Sequence, residues 1–218
     1  NRKEGVKKLI MFNLKNVQLS FSEKPLFSSF NLSIKRGKIR LLQAESGAGK
    51  TSLLRWIAGI PDTGLVAKGA IFLNGKDITY VPAEKRKIGI LFSEPLLFPH
   101  LSIAENLGVG LASSVRGKQR KEIIKNSLNK AGLCDLTTQD PLSLSTGQQA
   151  RVGLLRALLS EPELLLLDEP FSSLDEDVRE SMITYVLSEI KRLNIPVLIV
   201  SHDPRDHLLS TNPVTRFT

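Results

Sequence analysis

A short apolar run, Ile39–Gln43, leads directly into Ala44-Glu45-Ser46-Gly47-Ala48-Gly49-Lys50-Thr51 and then into a helical pattern over residues 52–58. Short apolar runs bounded by turn signals suit buried strands. Gly59 with Pro61 just beyond reads as the end of the helix. Between strand and helix, glycines let backbone N–H groups curl toward an anion without a Cβ in the way. The following helix N-terminus adds positive potential. This strand–loop–helix context is the one a phosphate-binding loop requires. It places Lys50 for the β- and γ-phosphates of a nucleotide and the Thr51 hydroxyl for Mg²⁺. Ala44 stands where the first glycine of such a loop usually stands. A Gly-rich surface turn is the alternative, and Gly-Lys-Thr in this setting argues against it.

The second constraint is Leu164-Leu165-Leu166-Leu167-Asp168-Glu169-Pro170. An almost pure leucine run reads as a strand buried on both faces, and it ends in two adjacent acids at the edge where parallel sheets bind ligands. Asp168 suits a Mg²⁺ shell and Glu169 suits a general base for an attacking water. Elsewhere, residues 12–21, 30–34, 88–92 and Val197–Val200 read as strands. Residues 70–73 and 76–79 read as a hairpin about Asn74-Gly75. The chain is helical in character from 102 to 136, including a helix at 121–131, and residues 147–159 and 175–193 read as further helices. Strands alternating with helices predict a parallel α/β core.

Composition narrows the classes. With 218 residues, 41% hydrophobic and 24% charged, the chain is an ordinary globular one, of one large domain or a core with a small companion. No apolar run approaches the ~18 residues that cross a bilayer. The single cysteine, Cys134, excludes an intrachain disulfide and a cysteine-based zinc site, and a reducing compartment is expected. The net charge of +8 suits nucleic acid, an anionic surface or a phosphorylated ligand. Residues 1–10 are basic, lack a signal-peptide core, and read as a tag remnant or an upstream extension.

A third motif separates this chain from other phosphate-loop proteins. Leu144-Ser145-Thr146-Gly147-Gln148 lies just before a helical pattern and some twenty residues ahead of the acidic strand end. Taken singly it is an ordinary helix N-cap. In this order and spacing it resembles the signature motif of ATP-binding cassette (ABC) proteins, usually Leu-Ser-Gly-Gly-Gln, with Thr146 in place of the first glycine. The resemblance runs from about Phe12 to His207. Ser173-Leu174-Asp175 looks like the family's D-loop, Ser201-His202-Asp203 like its switch histidine, and Phe21 like the aromatic that stacks on adenine. Residues 88–95 look like its Q-loop, with Ser93 in place of glutamine. Leu97-Phe98-Pro99-His100 and Ile103-Ala104-Glu105-Asn106 are similar to the matching segment of bacterial importer ATPases.

The resemblance implies a P-loop NTPase (RecA-like) core in one domain over 12–210, an N-terminal antiparallel β subdomain, and an inserted helical subdomain at about 94–158. It implies ATP and Mg²⁺ as cofactors, with Glu169 and His202 catalytic and Thr51, Asp168 and Ser93 at the metal. Nucleotide contacts fall to Phe21, Ser46, Gly47, Ala48, Gly49, Lys50, Thr51 and Ser52. From a second copy they fall to Ser145, Thr146, Gly147, Gln148 and Asp175. It also implies a homo- or heterodimer closing on ATP, membrane permease subunits, a solute-binding protein met indirectly, and a peripheral place on the cytoplasmic face of the inner membrane. Two other functions remain open. One is an ATP-gated dimerisation switch that hydrolyses slowly, suggested by Ala44, Ser93 and Thr146. The other is a nucleic-acid-associated ATPase, suggested only by a pI near 9.7; no recognition helix or stacking platform supports it, so no nucleic acid is expected. Trp56 reads as core, Arg116–Arg120 as a solvated basic helix face, Cys134 as a buried or half-buried residue without chemistry, and the tail after His207 as fraying.

Overall fold

Leucines 164–167 are fully buried, and the fold is arranged around the strand they form. The structure, a computed structural model, describes residues 10–21, 24–27, 29–43, 47–211 and 215–216. Ala44, Ser46 and the basic segment 1–9 lie outside the described residues. In chain order the strands are β1 (Ile10–Phe21), β2 (Lys24–Pro25), β3 (Phe30–Lys35), β4 (Ile39–Gln43), β5 (Leu65–Leu73), β6 (Lys76–Asp77), β7 (Ile88–Leu91), β8 (Leu164–Asp168), β9 (Val197–Val200) and β10 (Thr215–Arg216). The α-helices are α1 (Lys50–Ala58), α2 (Ile103–Gly110), α3 (Gly117–Lys130), α4 (Thr146–Leu159) and α5 (Glu176–Leu193).

Among the described residues the strands form two five-stranded sheets. One is wholly parallel, in the order β10-β4-β9-β8-β7. The other is antiparallel: β1 pairs with β3 and β2 along one edge and with β5 along the other, and β6 follows β5. The two-residue period of a strand sorts the leucines of β8. Leu164 and Leu166 join Leu198, Val200 and Leu42 in a core shared with α1 and the antiparallel sheet. Leu165 and Leu167 join Leu41, Val197 and Ile199 in a second core shared with α2, α3, α4 and α5. Each such leucine contributes about 1.5–3 kcal/mol on burial, so β8 is held from both sides.

Register then places the chemistry. Leu42 pairs with Val200, Val200 with Asp168, and Leu91 with Leu167. The carboxyl ends of β4, β7, β8 and β9 therefore lie on one edge, and the segments carrying Lys50, Ser93, Glu169 and His202 all leave from it.

Several expectations needed revision. Strand β5 begins at Leu65, five residues before the expected start, because its first half is exposed and interrupted by Gly69. The Asn74-Gly75 turn is present with φ of 52° and 78°, but β6 is only two residues long. Helix α3 starts at Gly117 rather than 121. Its Arg120 is not solvated with the rest of the basic patch: the guanidinium turns inward and donates to the Gly108 carbonyl at 2.5 Å. Cys134 is exposed, on a single 3₁₀ turn outside the cores. The tail does not simply fray, since β10 adds a parallel strand beside β4.

The end of α1 is tied to the segment after β6 by a residue that no local pattern announces. Arg86 is 6% exposed. Its guanidinium donates to the carbonyls of Trp56 and Ile57 at the end of α1, at 3.0 and 2.7 Å, and to Val81 and Thr79 at 2.6 and 2.8 Å. Carbonyls of the last turn of α1 thereby gain a donor; that of Trp56 also accepts from the Gly59 N–H at 3.1 Å. Arg86→Met is expected to lower unfolding free energy by about 2–4 kcal/mol, since several buried acceptors lose their donor. Urea denaturation checks this; a loss below about 1 kcal/mol would show that water replaces the guanidinium.

Candidate functional site

Helix α1 begins at Lys50 directly after Gly49, which is its N-cap at φ 79° and makes no side-chain cap. That left-handed backbone favours glycine, and a Cβ there would also stand 2.8 Å from Leu26 Cδ1. No side chain caps the start of α1, so its positive end is presented by the backbone at the mouth of the loop. Lys50 is 9% exposed, and its Nζ lies 3.8 Å from Glu169 Oε1. The Thr51 hydroxyl donates to Asp168 Oδ2 at 2.6 Å, so the phosphate-loop helix and the end of β8 are linked. Ser52 is placed differently: its hydroxyl donates to Asp62 at 2.7 Å, alongside the Arg55–Asp62 ion pair.

Asp168 is 2% exposed. Burial pushes its carboxyl above the ordinary range; the Thr51 hydroxyl opposes that shift, and the neighbouring Glu169 charge adds to it. Glu169 follows with φ 50°, a left-handed conformation uncommon for a residue with a side chain. The turn sends its carboxylate across to the segment after β9. There Glu169 accepts from the Ser201 hydroxyl at 3.2 Å and from the His202 backbone N–H at 3.1 Å, and its Oε1 lies 2.7 Å from His202 Nδ1. The contact uses one ring nitrogen, and the His202 side chain is otherwise exposed. No motif in the sequence singles out Ser201 as a partner of Glu169; its position between a buried strand and His202 is the signal that marks it.

The other predicted residues fall into two groups. Ser145 and Thr146 are exposed at the start of α4. A capping box forms there: the Gln148 N–H donates to Ser145 Oγ at 3.2 Å and the Ser145 N–H donates to Gln148 Oε1 at 2.9 Å. The Ser145 hydroxyl thus accepts within its own helix and keeps its proton to offer outward. Gly147 is packed on the loop before α5, where a Cβ would stand 2.9 Å from the Ser173 carbonyl oxygen. Asp175 caps α5, accepting from the Val178 N–H at 3.0 Å. In the second group, Phe21 is half-buried at the end of β1 and Ser93 is exposed after β7; Gly47 and Ala48 lie just before α1. Ser46 lies outside the described residues.

The segment after Ser93 is fixed by a polar network. Asn106 is fully buried; its Nδ2 donates to the carbonyls of Phe98, Leu101 and Ser102, and its Oδ1 accepts from the Phe98 N–H. Arg156 donates to the Leu96 carbonyl at 2.6 Å. The side chains of Leu96 and Phe98 are held out to solvent.

Among the described residues no group of three or more His, Cys, Asp or Glu side chains could hold a metal by itself. Thr51 and Asp168 offer two hard oxygen donors side by side. That set fits Mg²⁺, which takes one or two protein oxygens and completes its shell with phosphate and water.

A phosphate loop, a buried acid at the strand end, and a second acid paired with a histidine define a P-loop nucleotide hydrolase with a helical insertion. The chain belongs to the ABC transporter family, whose model matches residues 27–172, and it is an ATP-binding, ATP-hydrolysing subunit of that family. It is 41% identical over 196 residues to YnjD, an uncharacterized ABC transporter ATP-binding protein of Escherichia coli K12, with 90% of each chain covered. It is 39% identical over 191 residues to the Fe(3+) ions import ATP-binding protein FbpC 1 of Haemophilus influenzae, covering 87% of this chain. It is 34% identical over 205 residues to the spermidine/putrescine import ATP-binding protein PotA of Pasteurella multocida, covering 94% of this chain. The chain spans 57% of the length of that FbpC and 55% of that PotA. Among solved structures, it resembles the dimeric post-hydrolysis state of the ATP-binding cassette MJ0796 bound to ADP and Pi, with a TM-score of 0.80 and 26% identity over 92% of this chain and 91% of that one. These relatives favour neither the dimerisation switch nor the nucleic-acid ATPase.

An acid whose pKa is raised by folding opposes folding once it is ionised. The penalty is full above its folded pKa and absent below its unfolded value of about 4. Asp168→Asn is therefore expected to raise the Tm of the nucleotide-free protein at pH 7, with the gain shrinking as pH falls toward about 4. Thermal scans at several pH values check this, and a lower Tm at pH 7 would contradict it.

Proposed function

We propose that this chain is the ATPase subunit of a bacterial importer for a small solute, working as a dimer with two nucleotides sandwiched between copies. The register that delivers Lys50, Thr51, Asp168, Glu169 and His202 to one sheet edge carries the reading. The backbone N–H groups around 47–51 and Lys50 grip the phosphates, and Phe21 stacks on adenine. Thr51 and Asp168 hold Mg²⁺, which when bound neutralises developing phosphate charge. Ser145, Thr146, Gly147 and Gln148 of the second copy cover the γ-phosphate with a helix N-terminus, next to that copy's Asp175 loop. Similarity to MJ0796, solved as a dimer with ADP and Pi, supports this arrangement.

Glu169 takes the proton of the attacking water. His202 keeps Nδ1 on that carboxylate and turns Nε2 toward the γ-phosphate and the attacking water. Positioning and charge neutralisation do most of the work, as phosphoryl transfer requires little covalent help.

Relatives named as import ATP-binding proteins, for spermidine and putrescine or for Fe(3+), support import. No described helix is long and apolar enough to cross a membrane; in this reading permease subunits supply the translocation path. The exposed Leu96 and Phe98, rigidly held beside Ser93, suit contact with them at the cytoplasmic face of the inner membrane. A solute-binding protein would be met only through the permease.

Two outcomes follow. Glu169→Gln should lower phosphate release by at least about a hundredfold while ATP still binds; release unaffected by this change would sink the hydrolytic assignment. Ser93 is too short to reach as far as the glutamine usual at its position, so Ser93→Gln should raise ATPase turnover with the permease present. An unchanged or lower rate would refute that account of Ser93.

A further inference from the structure

Arg179 and Asp206 form an ion pair that takes no part in the proposed hydrolysis. Arg179 lies in the first turns of α5, four residues beyond Asp175, and is 5% exposed. Asp206 is 2% exposed and lies in the 3₁₀ segment Pro204–Leu209, four residues beyond His202. The guanidinium donates to the carboxylate. It also lies 5.9 Å from the ring of Phe171, two residues after Glu169. Three segments of the site thus meet at one arginine.

A buried ion pair is a poor way to stabilise a fold, because a well-packed apolar pair often does as well. This pair is not even fully satisfied: Arg179 Nε is buried with no hydrogen-bond partner among the described residues. What a charged, directional pair supplies and an apolar one does not is a fixed relation between two segments. An outer pair repeats the connection. Arg205 donates to both oxygens of Asp203 and to Glu176, the first residue of α5. Asp203 donates its N–H to Ser201 Oγ at 3.0 Å, and Ser201 in turn donates to Glu169.

We propose that Arg179–Asp206 is a positioning latch: it ties the start of α5 to the segment carrying His202 and so holds His202 on the Glu169 carboxylate. Neither residue is among those proposed to contact nucleotide. Any movement of residues 172–175 when a second copy docks would pass through the latch to His202. The latch therefore sets turnover and leaves nucleotide affinity alone. This inference rests on the catalytic assignment of Glu169 and His202.

The test is the double variant Arg179→Met/Asp206→Leu, which removes both charges and leaves neither one buried alone. Its Tm should stay within a few degrees of the parent, and its affinity for a fluorescent ATP analogue within about twofold. Its kcat should fall about tenfold or more, with KM nearly unchanged. A folded double variant that keeps wild-type kcat overturns the latch. So does one that loses kcat and affinity in parallel, which is what a general structural role produces. Should the double variant fail to fold, the exposed Arg205→Gln decides: a two- to fivefold fall in kcat at unchanged affinity supports the latch, and unchanged kcat refutes it. His202→Ala runs alongside. If it keeps hydrolysis, the catalytic assignment itself fails and the latch with it. If it loses hydrolysis while the latch variants do not, the latch alone fails.

Discussion

Everything at this site hangs on a strand that cannot move. Leucines 164–167 alternate between two hydrophobic cores and leave β8 no slack in either direction. A slip of one residue would put the whole set on the wrong faces. The strand therefore delivers Asp168 and Glu169 to a fixed point, and hydrophobic burial performs a catalytic positioning task. The cost is electrostatic: Asp168 is a carboxylate in an apolar setting, raised by that burial and answered by the hydroxyl of Thr51 and, more distantly, by Lys50. A divalent cation bound with nucleotide would complete that partial answer.

The groups proposed for hydrolysis already meet within a single chain. Glu169 already accepts from Ser201 and His202 and faces Lys50. Its left-handed backbone is the kind of strain that persists only when surroundings over-determine it. The covering helix terminus is different. Ser145 and Thr146 sit exposed on the helical insertion, preformed by a capping box and braced on Ser173 through Gly147. Under the proposed function, one chain thus carries a half-site with Lys50, Glu169 and His202 and a separate half-site with the exposed start of α4. In the proposed dimer each half-site would be completed by its counterpart on the second subunit, through an isologous contact where the two chains are identical.

The sequence discloses local features well. The phosphate loop, the leucine run with its acid pair, and the helix start at Thr146 are contiguous stretches whose chemistry is written in neighbouring residues. It discloses much less where residues meet across the fold. Arg86, Asn106 and the Arg179–Asp206 pair look like surface polar residues in sequence, and burial depends on tertiary packing that no local period encodes. Ser52 shows the same limit, since its hydroxyl is taken by Asp62 ten residues on. Cys134 and the first half of β5 depart from expectation for the opposite reason. Small or apolar residues suggest burial or loop, and their surroundings leave them exposed in regular structure.

The central claim is that the nucleotide gripped by one copy is sealed by the α4 terminus of another. The most direct test uses Ala48→Cys and Thr146→Cys together, in a chain carrying Cys134→Ser to remove the exposed native thiol and Glu169→Gln to slow turnover. With ATP and Mg²⁺, mild oxidation should give a disulfide-linked dimer, and without nucleotide the chain should remain monomeric on a non-reducing gel. Crosslinking that ignores nucleotide, or none at saturating ATP, would contradict the account.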